Sequence, residues 1–209
     1  MKLNGSPVVN LPSINYFVHK IKFSMEEREA YEKIEKEALE KLKKHKESAS
    51  ILEVILKLRQ ICDDKQIANL SLNISEEGDE NDEDKEQEKE QQEEKNKEEK
   101  FQTSSKTKAL LELLKSNSDK ALVFSQWVTY LDLIELSLKD ADIQFVRLDG
   151  RMLRYQREKA INDFNNNPKI KVFLISLKCG SMGLNLTIAN QCFLMDPWWN
   201  PGIENQAID

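Results

Sequence analysis

The segment from Ser176 to Leu186 combines two glycines with a lysine, a composition that can bind phosphate. Gly180 and Gly183 can adopt backbone conformations that let the chain approach a ligand closely. Backbone N–H groups in such a loop can donate to phosphate oxygens, and the ammonium group of Lys178 can add positive charge. Glycines three residues apart also occur in ordinary strand-to-helix turns, so the spacing alone is compatible with both interpretations.

Three further polar groups directly follow apolar runs of the kind that form buried strands. They are Ser125–Gln126, Asp149–Arg151 and Asp196–Asn200. In open parallel sheets, ligands bind beyond the carboxyl ends of the strands. These groups and the glycine-bearing segment are therefore predicted to line one ligand-binding edge.

The elements that would position these groups alternate regularly from Lys106 onward. Short apolar runs predict strands at Ala121–Phe124, Gln144–Leu148, Val172–Ser176 and Gln191–Met195. Helical spacing of apolar residues predicts helices before and between them, one of them Tyr155–Phe164. This alternation is typical of an α/β fold with a parallel sheet that is covered by helices on both faces.

The chain before this region is predicted to be mainly helical. Val18–Phe23 alternates apolar and polar residues, which predicts a short strand. Ser24 followed by Glu27 is typical of a capping box at the start of a helix. A second helix is predicted from about Ser50 to Cys62.

An acidic tract separates the two regions. Residues 76–100 contain 14 acidic and 5 basic residues and no apolar side chain, which leaves 26 basic and 23 acidic residues elsewhere. The tract therefore carries a charge of -9, and the remainder of the chain is mildly basic at +3, which together give the net charge of -6. A segment that buries no apolar surface cannot offset its chain entropy, so we expect a disordered insert over 76–104. Binding of a basic partner such as a histone is an alternative role.

Several other classes of protein are disfavoured. The cysteines, Cys62, Cys179 and Cys192, form no C-x-x-C pair and lie far from both histidines, so neither a zinc site nor a disulfide scaffold is expected. No apolar stretch approaches the roughly 20 residues of a membrane span, and no secretory signal is visible. A dinucleotide-binding fold would need glycines after the first strand, where Phe124 is followed by Ser-Gln-Trp-Val.

Several strings of the second region match one family together and in order. They are Leu122–Trp127, Phe145–Met152, Cys179–Thr187, Met195–Pro201 and Glu204–Asp209. From Ala121 to Asp209 the chain resembles the C-terminal, RecA-like lobe of SWI/SNF-type superfamily-two DNA translocases. It looks most similar to the branch that includes DNA-damage-tolerance translocases and a transcription-termination ATPase.

The first seventy residues also resemble this family, through Leu11–Pro12, Ser24–Tyr31 and Leu58–Cys62. They look like the end of the first motor lobe and its helical protrusion. The resemblance thus implies that the chain has three parts. Residues 1–75 form the end of the first motor lobe and its helical protrusion, residues 76–104 form the acidic insert, and residues 105–209 form an incomplete C-terminal lobe.

The resemblance implies that two lobes close on ATP and step along one strand of double-stranded DNA. Seven residues match positions that face the DNA backbone: Ser125, Gln126, Arg151, Ser176, Lys178, Trp198 and Asn200. Arg151 could equally well be an ordinary surface arginine without a role in DNA binding. At least one of Trp198 and Trp199 is expected to form a buried aromatic platform instead of contacting DNA.

Five further residues match positions that couple DNA to the ATP cleft: Gly180, Gly183, Asn185, Gln206 and Asp209. Ser181 replaces a glycine of the family pattern but keeps a backbone N–H that can contact phosphate. Many members of the branch carry a zinc RING finger where this chain has the acidic tract, so ubiquitin-ligase activity is not expected.

The resemblance implies ATP and Mg2+ as cofactors of a longer parent protein, with none held by this chain alone. The sequence has no G-x-x-x-x-G-K-[ST] loop and stops at Asp209, before the arginines of motif six. We therefore expect no catalytic residue here and no ATP hydrolysis by this chain alone. The expected setting is nuclear, in chromatin remodelling, DNA repair or transcription termination, with chromatin proteins as further partners. The alternative is a non-catalytic module derived from such a lobe that binds DNA or a partner.

Overall fold

A computed structural model describes residues 2–3, 6–7, 14–44, 48–67, 102–180, 186–200 and 202 of the chain. The acidic tract and the segment 181–185 lie outside these ranges. None of the helices that the structure describes is long and apolar enough to span a membrane.

A four-stranded parallel sheet organises the second region. The strands are β3 (Ala121–Ser125), β4 (Phe145–Leu148), β5 (Val172–Ser176) and β6 (Gln191–Leu194), in the spatial order β4-β5-β3-β6. Every residue of β3 and β5 is buried, as expected for central strands with both faces covered. The predicted parallel α/β fold is confirmed, and its four strands lie within one residue of their predicted bounds.

Helices cover both faces of this sheet. On one face, α3 (Ser105–Ser116) and α4 (Val128–Asp140) bury apolar side chains against Val123 and Leu174. On the other face, α5 (Arg154–Asn166) packs against Phe124 and Phe173, together with the helical turn α6 (Leu177–Gly180). Successive residues of a strand point to opposite faces, so each central strand contributes to both apolar clusters.

Two long helices precede α3 in the described part of the chain, and a pair of two-residue antiparallel strands, β1 (Lys2–Leu3) and β2 (Ser6–Pro7), lies at the start of the chain. Helices α1 (Met25–Lys44) and α2 (Ser48–Asp63) pack against each other. Beyond α2, the side chain of Ile67 is buried in the cluster that α3 and α4 form with the sheet. The helical segment is therefore packed onto the sheet domain.

The predicted strand at Val18–Phe23 is wrong. Residues 14–24 form no helix or strand, and Val18 is 88% exposed. An alternating sequence forms a strand only beside another strand that accepts its backbone hydrogen bonds. Among the described residues no strand pairs with this segment.

The predicted capping box is confirmed, and its glutamate has a second role. The backbone N–H of Ser24 donates to Glu27 Oε2 at 2.7 Å, and the N–H of Glu27 donates to Ser24 Oγ at 3.2 Å. Glu27 Oε1 accepts a further bond from the N–H of Ser105 at 2.7 Å. Burial alone would raise the pKa of Glu27, but the bonds from Ser105 and Ser24 outweigh it and lower the pKa. One carboxylate thus joins the amino ends of α1 and α3.

We expect Glu27→Ala to lower the free energy of unfolding by about 1–3 kcal/mol, because the N–H groups of Ser24 and Ser105 at the helix amino ends lose their acceptor. Glu27→Gln keeps one acceptor oxygen and should lose less. Urea denaturation measures both, with Glu29→Ala on the exposed side of α1 as the matched control. Equal stabilities for Glu27→Ala and Glu29→Ala would contradict the bridging role.

Candidate nucleic-acid interface

Four polar side chains form a row along the carboxyl edge of the sheet. In spatial order they are Asp149 after β4, Ser176 at the end of β5, Ser125 at the end of β3, and Asp196 after β6. Ser125 and Ser176 are direct partners in the register of β3 and β5. All four are at most 3% exposed, so their side chains organise this edge from beneath its surface.

Asp196 ties the central strand to the edge strand β6. The Asp196 carboxylate accepts a hydrogen bond from the hydroxyl of Ser125. It also accepts one from the backbone N–H of Gln126, at 3.0 Å. Burial raises the pKa of the Asp196 carboxyl, and the bonds from Ser125 and Gln126 oppose that rise. Ser125 Oγ in turn accepts the N–H of Trp127 at 3.0 Å, which orients the turn into α4.

The segment after Asp196 is attached to the helical region by Arg59 of α2. The carbonyl oxygen of Pro197 accepts hydrogen bonds from the Arg59 guanidinium and, at 3.2 Å, from the side-chain amide of Gln126. The Arg59 guanidinium also lies 4.5 Å from the centre of the Trp199 ring, within the range of a cation–π interaction. Arg59 therefore spans from the helical region to the edge where the sheet would meet a ligand.

The two tryptophans of this segment differ in environment. Trp198 is half-buried against the apolar cluster beneath α5, in agreement with the buried-platform interpretation. Trp199 is 59% exposed. Asn200 is exposed, and its side-chain oxygen accepts the N–H of Gly202 at 2.9 Å.

A partly buried ion pair lies beside Asp196. Lys106 Nζ on α3 donates to Asp63 Oδ1 at the end of α2, at 2.5 Å. Asp63 is 2% exposed, and its second oxygen has no hydrogen-bond partner among the described residues. Burial raises the pKa of Asp63 to about 7, with the attraction of Lys106 opposing the rise and the negative charge of Asp196 adding to it.

A cluster of charges surrounds the end of β4, with Arg147 at its centre. The Arg147 side chain is 14% exposed and contacts three carboxylates: Asp132 at 2.6 Å, Glu135 at 3.0 Å and Asp149 at 2.8 Å. It also donates to the carbonyl oxygen of Val128 at 3.1 Å. The cluster joins β4 to the first half of α4.

Arg151 lies at the outer side of this cluster. Its guanidinium Nη2 contacts Asp132 at 2.8 Å and Asp149 at 3.1 Å, and 59% of its side chain is exposed. Its backbone N–H donates to Asp149 Oδ1 at 2.8 Å. Hydrogen bonds to Asp132 and Asp149 raise the pKa of the guanidinium, so Arg151 is a fixed positive charge at the surface.

The glycine-bearing segment is described only in part. Ser176 is followed by the helical turn α6, which ends at Gly180 and carries the exposed side chain of Lys178. Four of the residues that are expected to couple DNA to the ATP cleft lie outside the described residues: Gly183, Asn185, Gln206 and Asp209.

Several residues of this edge were not identified from the sequence. They are Asp63, Lys106, Asp132, Glu135 and Arg147. The role of Arg147 could have been predicted from the sequence, because a charged residue within a short apolar strand requires a partner when it is buried. The pairing of Asp63 with Lys106 could not, because the acidic tract lies between them in the sequence.

The two buried carboxylates at this edge of the sheet are already paired with groups of the chain itself. Asp149 is bonded to two arginines and Asp196 to Ser125 and Gln126, so neither presents an unpaired carboxylate. Within the described ranges, no three His, Cys, Asp or Glu side chains converge as they would around a metal ion.

Comparison with known proteins identifies the second region. Residues 105–209 match the family described as helicase conserved C-terminal domain. The chain is 48% identical over 108 residues to DNA repair protein RAD5A of Arabidopsis thaliana, an alignment covering 50% of this chain and 10% of the relative. It is 50% identical over 115 residues to DNA repair protein RAD5 of Cryptococcus neoformans, covering 51% of this chain and 9% of the relative. The chain thus spans about a tenth of these relatives.

Solved structures share the fold over most of the chain. The C-terminal part of the Fun30 ATPase domain superposes with a TM-score of 0.71 at 23% identity, covering 95% of this chain and 80% of the other. The Sulfolobus solfataricus SWI2/SNF2 ATPase C-terminal domain has a TM-score of 0.64 at 25% identity, covering 88% and 73%. The Sulfolobus core in complex with double-stranded DNA has a TM-score of 0.62 at 22% identity, covering 87% and 34%.

The raised pKa of Asp63 predicts a distinctive dependence of stability on pH. The folded chain binds more protons at Asp63 than the unfolded chain between the ordinary pKa of 3.8 and about 7. The contribution of Asp63 to stability therefore falls as the pH rises through this window. A pKa shift of one unit corresponds to about 1.4 kcal/mol. Between pH 4 and pH 8, the free energy of unfolding of Asp63→Asn should therefore rise relative to that of wild type by up to a few kcal/mol.

Urea denaturation at several pH values measures this difference, with Asp149→Asn as the matched comparison. Burial alone would raise the pKa of Asp149, but bonds from Arg151 and attraction to Arg147 lower it. The contribution of Asp149 to stability is therefore present at neutral pH and lost on acidification. The free energy of unfolding of Asp149→Asn should consequently fall relative to that of wild type as the pH rises, opposite to Asp63→Asn. A pH-independent difference between wild type and Asp63→Asn would refute the raised pKa.

Proposed function

The chain belongs to the family of helicase conserved C-terminal domains, and we propose that it is the second motor lobe of an ATP-driven, SWI/SNF-type translocase of double-stranded DNA. The observation that carries the proposal is the polar carboxyl edge of the sheet, where parallel α/β folds bind their ligands. The Sulfolobus core that shares this fold is described in complex with double-stranded DNA, which supports DNA as the partner.

In this proposal the DNA backbone lies along the edge formed by Arg151, Lys178 and Asn200. All three are exposed, and the first two are cationic. The buried side chains of Ser125 and Ser176 would act from beneath by holding the strand ends in place. Contacts of this kind go to phosphates rather than base edges, so binding would be salt-sensitive and tolerant of sequence.

The ATP cleft would form between this lobe and a preceding lobe. Residues 1–75 would supply the end of that lobe and its helical protrusion, 76–104 an acidic insert, and 105–209 the C-terminal lobe. Gly180, Gly183, Asn185, Gln206 and Asp209 would couple DNA to the cleft, where Mg2+ accompanies ATP in the whole protein. The relatives named as DNA repair proteins support a nuclear role in DNA repair or chromatin remodelling, with chromatin proteins as further partners.

We expect the 209-residue chain to bind duplexes of unrelated sequence with similar affinity. Arg151→Ala should weaken binding about three- to tenfold and lower the slope of log K against log salt by about one, because one phosphate contact is lost. Fluorescence anisotropy of a labelled duplex at several salt concentrations measures both. Lys171→Ala is the matched control, since exposed Lys171 precedes β5 at the opposite edge of the sheet. Equal losses in the two variants would reject this edge as the DNA surface.

In the full-length gene product we expect duplex DNA to stimulate ATP hydrolysis. Arg151→Ala should reduce this stimulation through weaker DNA contact. Gly183→Asp should abolish it, because a carboxylate in the coupling segment would repel phosphate. Phosphate release with and without duplex measures the stimulation, and Lys171→Ala should retain it. Duplex binding without any hydrolysis would reject the motor and favour a non-catalytic DNA-binding module.

A further inference from the structure

The guanidinium of Arg151 lies between two carboxylates that differ in accessibility. Asp149 is 2% exposed, whereas 42% of the Asp132 side chain is exposed. Arg151 contacts Asp132 through two hydrogen bonds, at 2.8 and 3.4 Å, and Asp149 through one at 3.1 Å. Asp132 is thus the partner of Arg151 on the solvent side, where a ligand would approach.

Arg151 can leave Asp132 without stranding a buried charge. Asp132 keeps a contact with Arg147 at 2.6 Å. Asp149 keeps Arg147 Nε at 2.8 Å and the backbone N–H of Arg151 at 2.8 Å. Breaking an ion pair costs much free energy mainly when it leaves a buried charge uncompensated. Since no buried charge is left uncompensated here, an exchange of partner by Arg151 costs little free energy.

The cluster around Arg151 is electrically balanced in this arrangement. Its six charged side chains are three cations and three carboxylates: Lys139, Arg147, Arg151, Asp132, Glu135 and Asp149. A balanced cluster attracts a phosphate weakly, and a phosphate at Arg151 would meet the like charge of Asp132. Phosphate and Asp132 therefore compete for the same guanidinium.

We propose that Asp132 competes with a DNA phosphate for Arg151, so that Arg151 exchanges one partner for the other when the lobe binds and releases DNA. Asp132 is then a positioning residue that limits the affinity of the DNA surface. A translocating lobe needs such a limit, because each step requires it to release the phosphates it has bound. The proposal rests on the function proposed above, in which Arg151 faces DNA.

Asp132→Asn tests the competition because it removes one negative charge and keeps a similar side-chain shape. We expect the 209-residue chain with this substitution to bind a labelled 20-base-pair duplex about three- to tenfold more tightly than wild type. The matched control is Asp140→Asn, which makes the same charge change at the far end of α4, about 12 Å along the helix. Any gain in Asp140→Asn measures the effect of net charge alone.

The double variant Asp132→Asn/Arg151→Ala identifies the partner through which Asp132 acts. We expect its affinity to lie within about twofold of Arg151→Ala alone, because the competition needs the guanidinium. Asp132→Glu retains the charge and should bind as wild type does. Urea denaturation of each variant establishes that the compared chains are folded.

The outcomes separate this proposal from the function on which it rests. If wild type binds no duplex, the proposed function fails and the competition fails with it. If wild type binds and Arg151→Ala weakens binding, the function stands. In that case, an Asp132→Asn affinity equal to that of Asp140→Asn, or weaker than wild type, overturns the competition, and a tighter affinity that requires Arg151 supports it.

Discussion

The buried carboxylate of Asp196 accepts hydrogen bonds from the hydroxyl of Ser125 and the backbone N–H of Gln126. These bonds hold together the carboxyl ends of β3 and β6, where the chain leaves the sheet in two directions. The proposed DNA surface depends on this contact, because the turn into α4 and the tryptophan segment both start there. Burial of a carboxylate costs less when its oxygens accept hydrogen bonds, as both oxygens of Asp196 do, and these bonds make the geometry of this edge specific.

The helical region is held to the same edge by charge rather than by apolar packing alone. Lys106 joins the start of α3 to Asp63 at the end of α2, and Arg59 reaches the carbonyl oxygen of Pro197. The negative charge of Asp196 adds to the rise in the pKa of Asp63 across this junction. A movement of α2 would therefore alter these contacts at the end of the sheet, next to the proposed DNA surface.

In the proposed function, the charge cluster at β4 would allow the lobe to bind a polyanion without holding it permanently. Arg147 is enclosed by carboxylates and serves the structure, whereas Arg151 is exposed and only partly neutralised. The same residue type has two roles because the two guanidinium groups differ in burial. In the proposal, the exposed Arg151 is the cation that binds phosphate, and the neighbouring carboxylates weaken that binding.

The sequence by itself determined the parallel strands, the helices between them and the capping box at Ser24, because these features depend on the spacing of nearby residues. The identity of the family also followed from local strings. The tertiary structure decided the strand order, the burial of Ser125 and the partners of Arg151, since these depend on residues that approach only after folding. Val18–Phe23 illustrates the limit: alternation marks a segment able to form a strand, but a neighbour must supply the hydrogen bonds.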